Sequence, residues 1–293
     1  MSAHLRFKFI DQLKDSYNIK SLCKTLSVSR FGYYKFKANQ GKPHKYAELL
    51  VSIQAVLQED EFNDNYGRER FKIALDHKGI HVSERTIYRV LKEFGLGTTK
   101  KRRINLTQAD KEAHKSDDLL QGDFGSNLPG TKILSDMTQL PTKDGVLYIS
   151  AVFDACGAKC IGLSMDKHME TSLVIKSLMG AKSLIKPHAI FHTDRGSQYT
   201  SKAFRRQMKQ LKITQSMSHA KTNCYGNARC ESFFARFKEE AIYNRYNTRE
   251  MSIDQVKSLV FRYFYGYWNN RRIFGKRKTR KSSGKIRKYL RMA

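Results

Sequence analysis

Residues 132–165 read KILSDMTQLPTKDGVLYISAVFDACGAKCIGLSM, and this stretch decides the fold. Its apolar runs, KILSDMTQL, VLYISAVFDA and AKCIGLSM, read as three successive strands, the first two separated by a turn at PTKDG. A hairpin-connected sheet is the simplest arrangement.

Working outward toward the C-terminus, ETSLVIKSLMGAKSL (170–184) reads as a helix, AIFHTD (189–194) as a short strand and SKAFRRQMKQLK (201–212) as a second helix. In that second helix Phe204, Met208 and Leu211 mark the buried stripe. Strand ITQSMS (213–218), the loop HAKTNCYGNA (219–228) and helix RCESFFARFKEEAIYN (229–244) complete the unit. Three antiparallel strands followed by alternating helices and strands describe an α/β layer structure with a mixed sheet. Beyond it, Ser252 and Gln255 are spaced as a capping box, and Val256, Leu259, Val260, Tyr263 and Tyr267 share one apolar helix face. After Trp268 comes a basic tail, with eleven Lys or Arg in the last 23 residues and no acid, expected to stay flexible until it meets a phosphate backbone.

Toward the N-terminus the texture is helical and basic. In IKSLCKTLSVSRFGYYKFK (19–37) a helix ends near Leu26, a brief turn follows, and a second helix carries Arg30, Tyr33, Tyr34 and Lys35, the layout of a helix-turn-helix. A second such unit is GRERFKIALDHKGIHVSERTIYRVLKEFGL (67–96): Gly79 ends one helix and Ser83 caps the next. On that next helix Ile87, Val90 and Leu91 face inward, leaving Arg85, Arg89 and Lys92 outside. Either unit alone reads equally as a plain helical hairpin; two in tandem on a basic chain favour DNA docking. The run Lys100, Lys101, Arg102, Arg103 and the polar stretch after it form the expected linker. The organisation is therefore 1–45 and 46–103 as helical DNA-binding units, 104–125 as linker, 126–245 as an α/β core and 246–293 as a C-terminal helix with a basic tail.

A chain of 293 residues with 40% hydrophobic composition can bury one sizeable core and one or two small satellites. Lys and Arg outnumber Asp and Glu by 55 to 27, a formal net charge of +28, which is the footprint of a nucleic-acid binder. Charges break every apolar run of the N-terminal stretch MSAHLRFKFIDQLKDS and nowhere do 18 apolar residues occur together, so neither a signal peptide nor a membrane span is expected, and the chain reads as cytoplasmic. Its five cysteines, Cys23, Cys156, Cys160, Cys224 and Cys230, form no CxxC pair and are expected to be reduced thiols, with a zinc site from Cys224, Cys230 and a histidine as a remote alternative.

Three acids stand out. Asp136 sits in the middle of the first strand, where an apolar or β-branched residue is usual. Asp194 ends AIFHTD before the tight turn RGSQY, at the carboxyl edge of the sheet, where a helix-entry cap is the plainer reading. Glu231 lies on the helix after the glycine and asparagine loop, with Lys238 two turns further along the same face. Each alone is ordinary. Together, two strand carboxylates and one helix carboxylate can converge on two divalent ions, the clamp that phosphodiester chemistry needs, with Lys238 facing the DNA backbone.

With LSDMTQL around Asp136, HTDRGSQYTSKAF around Asp194 and QSMSHAKTNCYGNARCESFFARFK around Glu231 and Lys238, residues 132–238 resemble the DDE catalytic core of retroviral integrases. With LCKTLSVSRFGYYKF and VSERTIYRVLKEFGL added, most of the chain resembles the OrfB product of bacterial insertion sequences that encode OrfA and OrfB. The resemblance implies an RNase H-like fold and a DNA transposase. In it Asp136, Asp194 and Glu231 bind two Mg2+ or Mn2+ ions, and the reaction nicks the element's ends and transfers the freed 3′-hydroxyl to a second phosphodiester. It also implies double-stranded DNA partners (terminal inverted repeats and target), an upstream OrfA product or an OrfA–OrfB fusion, and a nucleoid-associated location; because paired ends must be brought together, a homo-oligomer on DNA is expected on mechanistic grounds. Candidate DNA contacts are Lys238, Arg30, Tyr34, Lys35, Arg85, Arg89, Arg102 and Arg103. The chain departs from the family pattern in three places: Leu134 and Ser135 replace an aromatic residue and a threonine before Asp136, the interval from Asp194 to Glu231 is one residue longer, and the tail after Asn270 is dissimilar. Two competing functions are a catalytically silent DNA-binding regulator and a structure-selective nuclease that cuts without joining.

Overall fold

A computed structural model of the protein describes residues 2–96, 118–121, 123–218, 228–243 and 245–274. The chain divides into two compact units, one ending at Ser52 and one beginning at Ile53.

The first unit contains α1 (Ala3–Leu13), α2 (Ile19–Thr25), α3 (Arg30–Ala38) and the start of α4 (Ala47–Gln58). Each short helix begins at a side-chain cap: Ser2, Asn18 and Ser29 accept from the backbone N–H groups of Leu5, Lys20 and Gly32. Between α2 and α3 the turn is made by Ser27 in a left-handed conformation, φ 50°. Ile10, Cys23 and Tyr33 form the centre of a small core, with Phe7, Leu22 and Phe36 packed around it. Tyr33 is therefore an anchor, and its hydroxyl donates to Asp11 Oδ1 at 2.9 Å. Arg30, Tyr34 and Lys35 remain exposed on α3.

The second unit opens with the remainder of α4, a 3-10 turn at Glu61–Asn65, and the pair α5 (Arg68–His77) and α6 (Glu84–Glu93). Gly79 leaves α5 with φ +77°, and the Ser83 hydroxyl caps α6 by accepting from Thr86 N–H. Ile87, Val90 and Leu91 are buried while Arg85, Arg89 and Lys92 are exposed, as the helical period requires. Arg102, Arg103 and most of the expected linker lie outside the described residues.

The centre of this unit is a five-stranded sheet of β1 (Lys132–Thr142), β2 (Gly145–Asp154), β3 (Lys159–Asp166), β4 (Ile190–Thr193) and β5 (Thr214–Met217). Its order is β3-β2-β1-β4-β5. The first three strands form an antiparallel meander, and β4 and β5 add in parallel beside β1. Helix α7 (Thr171–Ala181) connects β3 to β4, and α8 (Ser197–Thr200) with α9 (Lys202–Gln210) connects β4 to β5. The first hairpin is tighter than PTKDG suggested: Pro141 and Thr142 still pair with Val146 and Gly145, leaving only Lys143 and Asp144 as the turn. Proline is tolerated there because β4 pairs only with Lys132–Leu134, so β1 has no second neighbour at Pro141.

The two faces of the sheet carry different cores. Ile133, Val152, Ile161, Val174, Leu178, Phe191, Phe204 and Met208 form an aliphatic-rich core with α7 and α9. Gly162 on β3 allows α7 to approach, since a Cβ there would lie 2.2 Å from the Ser177 carbonyl oxygen. On the opposite face Phe153 meets Phe233, Phe234, Phe264 and Trp268 in an aromatic cluster with ring centroids 4.6–6.4 Å apart. Those rings come from α10 (Ala228–Phe237) and α11 (Ile253–Phe261), which continue as π-helical turns at Lys238–Ile242 and Arg262–Trp268. The Ser252 and Gln255 capping box forms at the start of α11.

Candidate active site

Pairing register brings the first two acids together. Leu134 pairs with His192 across the parallel strands β1 and β4, so advancing two residues on each chain sets Asp136 level with Asp194. Asp194 is the first residue after β4, and its Oδ1 accepts from Gly196 N–H at 3.0 Å, which turns the chain toward α8. The same carboxylate thus serves the cap-like turn and faces the sheet edge.

Alternation on β1 fixes the direction of Asp136. Leu134 lies opposite Phe153, which faces the aromatic cluster, whereas Ser135 lies opposite Val152 on the α7 side. Asp136 therefore projects toward α10, and its cross-strand neighbour Ala151 leaves room beside it. Ser135, one of the departures from the family pattern, is fully accommodated: it is buried, donates to the Ala151 carbonyl at 3.1 Å and shares a 2.9 Å hydrogen bond with the Tyr199 hydroxyl.

Helix α10 supplies the third acid. Cys230, Phe233, Phe234 and Phe237 are buried at helical spacing, and Arg229 donates to the Ala155 and Phe124 carbonyls, so the helix is held against the sheet with Glu231 on its exposed side. At Lys238 the helix widens to π geometry. Lys238 is half-buried, and among the described residues it forms no ion pair. Burial holds its ammonium below the usual lysine range, opposed by the negative charge of Asp136.

The three carboxyls share one electrostatic environment. Burial, then the charge of Asp194 and that of Glu231, push Asp136 well above the usual carboxylate range, with Lys238 and the Met137 N–H opposing. Asp194 is raised by burial, and Glu231 by burial and by Asp194. Among the described residues none of the three has an ion-pair partner, and no three acids, histidines or cysteines converge tightly enough to form a ready ligand cage. Three crowded carboxylates that form no ion pair among the described residues are a donor set suited to a hard divalent ion, which takes one or two carboxylates and completes its shell with water and phosphate oxygens.

Arg30, Tyr34 and Lys35 belong to the first unit, and Arg85 and Arg89 to the exposed side of α6. Cys23, Cys156, Cys160 and Cys230 are buried free thiols, whereas Cys224 lies outside the described residues. Part of the expected basic tail is ordered. Arg272 is buried against Glu240, and Phe274 packs on Trp268 with centroids 5.2 Å apart, so the chain is built into the core through Phe274. Sequence reasoning also missed Glu240 and Tyr199, whose partners are remote in the chain and leave no local signal. Among the described residues no helix is long and apolar enough to cross a membrane.

The family model for the integrase core domain matches residues 126–223. The probable transposase for insertion sequence element IS1353 of Shigella flexneri is 30% identical over 281 residues, covering 93% of this chain and 53% of that protein, so the chain spans about half its length. Transposase InsF for insertion sequence IS3A of Escherichia coli (strain K12) is 30% identical over 280 residues, 90% of this chain and 93% of the relative. Among solved structures, the HTLV-2 integrase catalytic core domain in complex with magnesium shares 17% identity at a TM-score of 0.38, over 55% of this chain and 97% of that one. Mixed sheet, flanking helices and family match define an integrase core, the catalytic fold of a polynucleotidyl transferase class. The chain belongs to the family of insertion-sequence transposases that includes InsF of IS3A.

Proposed function

We propose that this chain carries out metal-dependent DNA end nicking and strand transfer, with Asp136, Asp194 and Glu231 as the catalytic acids. The observation that carries the reading is the strand register that sets Asp136 level with Asp194, with Glu231 on α10 in the electrostatic field of both. Bound there, two Mg2+ or Mn2+ ions would activate the attacking oxygen and stabilise the leaving oxygen of an in-line displacement.

The protein's own groups do the positioning. Asp136 is fixed by strand register and by the Met137 N–H at 2.8 Å, and Asp194 by the Gly196 N–H. Glu231 is carried by a helix locked through its aromatic face. Lys238, beside Asp136, meets a phosphate oxygen of the bound strand. The helical units within 1–45 and 46–103 dock double-stranded DNA through Arg30, Tyr34, Lys35, Arg85 and Arg89, with Arg102 and Arg103 adding phosphate contacts. Paired element ends and target DNA require at least a dimer on DNA, with an OrfA product or fusion as the natural partner.

The test is a strand-transfer assay on labelled DNA ending in the terminal repeat of the encoding element, with Mg2+ or Mn2+, comparing the wild-type and Glu231→Gln proteins. Joined products from the wild type alone are expected. Binding without joining by the wild type would overturn the reading in favour of a regulator, and cutting without joining in favour of a nuclease.

A further inference from the structure

Between Thr171 and Ser218 the chain carries nine Lys or Arg and a single acid, Asp194, against 55 and 27 over the whole sequence. The excess gathers on the layer formed by α7 and α9. Helical spacing sets Lys202, Arg206 and Lys209 on one face of α9, opposite the buried Phe204 and Met208, and all three are exposed. Lys212 follows at the end of the helix, where its carbonyl accepts from His188 N–H at 2.7 Å. Lys182 and Lys186, exposed on the turn after α7, belong to the same end of the layer, because Ile185 between them and Leu211 beside Lys212 pack on one core.

The fold leaves these charges uncompensated. Among the described residues none of the six forms an ion pair, whereas the other cation of α7, Lys176, meets Asp166 at 3.2 Å. From Lys202 to Lys209 the row covers about 10 Å of helix axis, the axial length of about three phosphates on one strand of duplex DNA. Its course and its face choose which duplex. The row starts eight residues past Asp194, at the carboxyl edge of the sheet, and runs back to the opposite edge where β5 begins. It lies on the sheet face away from α10, whereas the second helical unit is fastened behind α10, where Arg70 and Asn65 donate to Glu240. A row of Lys and Arg holds phosphates and reads no bases, which suits a duplex of no fixed sequence.

We propose that the exposed face of α9 docks the flank of the target duplex, which leaves the acidic edge and follows Lys202, Arg206 and Lys209 toward Lys212, Lys186 and Lys182 through its phosphates. The assignment rests on the proposed function for there being a target at all. The element end is held from the other face, where the second helical unit stands.

The test compares the full-length wild type with Arg206→Ala/Lys209→Ala, and with Lys176→Ala/Lys257→Ala as a control that removes the same charge from lysines already ion-paired. Joining of a pre-nicked terminal-repeat duplex to a random-sequence duplex is followed against the concentration of the latter, and binding of each duplex alone is read by fluorescence anisotropy across a salt series. In the α9 variant the half-saturating target concentration is expected to rise about tenfold at an unchanged saturating rate, and the salt slope on the random duplex to fall by about two. Its binding of the terminal repeat is expected to match that of the control. An α9 variant equal to the control in every reading would overturn the proposal and leave the strip a solvated face. A loss on the terminal repeat as large as that on the random duplex would overturn the assignment to target DNA. If the wild type joins nothing, the two binding readings still decide the strip, and only the proposed reaction falls.

Discussion

The Arg272 guanidinium grips the Glu240 carboxylate with two hydrogen bonds, Nε to Oε2 at 2.8 Å and Nη2 to Oε1 at 2.5 Å, both side chains being buried. Arg70 on α5 adds a third bond to Oε1 at 3.1 Å and the Tyr263 hydroxyl a fourth to Oε2 at 2.8 Å. One carboxylate thus ties α5, the π turn after α10, the π turn after α11 and the chain past Trp268 into the second unit. Glu240 lies two residues beyond Lys238, so the clasp also anchors the end of the helix that carries Glu231.

Replacing Glu240 by Ala removes the carboxylate shared by the buried Arg272 and the half-buried Arg70. The expected cost is about 3–5 kcal/mol, because removing one partner exposes the full desolvation penalty of the other. Denaturant unfolding of the purified variant measures it. The arginine contacts hold the Glu240 carboxyl below its ordinary range despite burial. Its contribution is therefore complete above the unfolded value near pH 4.5 and is lost as pH falls through the lower native value. Wild-type stability falls on acidification in that window, and a Glu240→Gln protein shows a flatter acid limb.

The acidic trio has the opposite sign. Its native carboxyls bind protons more tightly than in the unfolded chain, so their contribution is greatest below about pH 4 and is lost as pH rises through the raised native values. In chelator-treated protein at pH 7, Asp136→Asn is expected to raise the melting temperature by ~2–4 °C for each kcal/mol of repulsion relieved, with a smaller effect at pH 4. Mn2+ should stabilise the wild type and not the variant. Equal melting-temperature losses at both pH values would show that Asp136 is an ordinary structural residue.

Gly162→Ala places a methyl against the Ser177 carbonyl oxygen, a contact that backbone cannot yield without moving α7 off the sheet. A loss of about 1–3 kcal/mol is expected from this overpacking. Differential scanning calorimetry reads it directly, and an unchanged melting temperature would mean that α7 slides freely.

Tyr199→Phe removes the hydroxyl that meets Ser135 and keeps the buried ring that packs edge-on to Phe204. Ser135 still donates to the Ala151 carbonyl, so no buried hydroxyl is stranded. The expected cost is about 1 kcal/mol, that of one neutral hydrogen bond. A loss several times larger in urea titration would reveal that the pair also holds β1, and with it Asp136, in register.

Local order was legible from local chemistry. The short apolar runs of 132–165, the Ser83 and Ser252 caps, the Gly79 stop and the phase of Ile87, Val90 and Leu91 each depend on residues within one or two turns, and each forms as its spacing requires. Asp136 stood out as a charge in mid-strand, whereas Asp194 and Glu231 are ordinary alone and gained meaning only from the combination and the motifs around them. Tertiary structure alone decided that β4 adds beside β1 in the register that levels Asp136 with Asp194. It alone brought Arg272, from an apparently free basic tail, and Arg70 to the Glu240 carboxylate, which lies 32 and 170 residues from them in the chain. Burial is the physical reason: it makes an unpaired charge costly enough to choose a distant partner, and no local pattern along the chain records which partner that is.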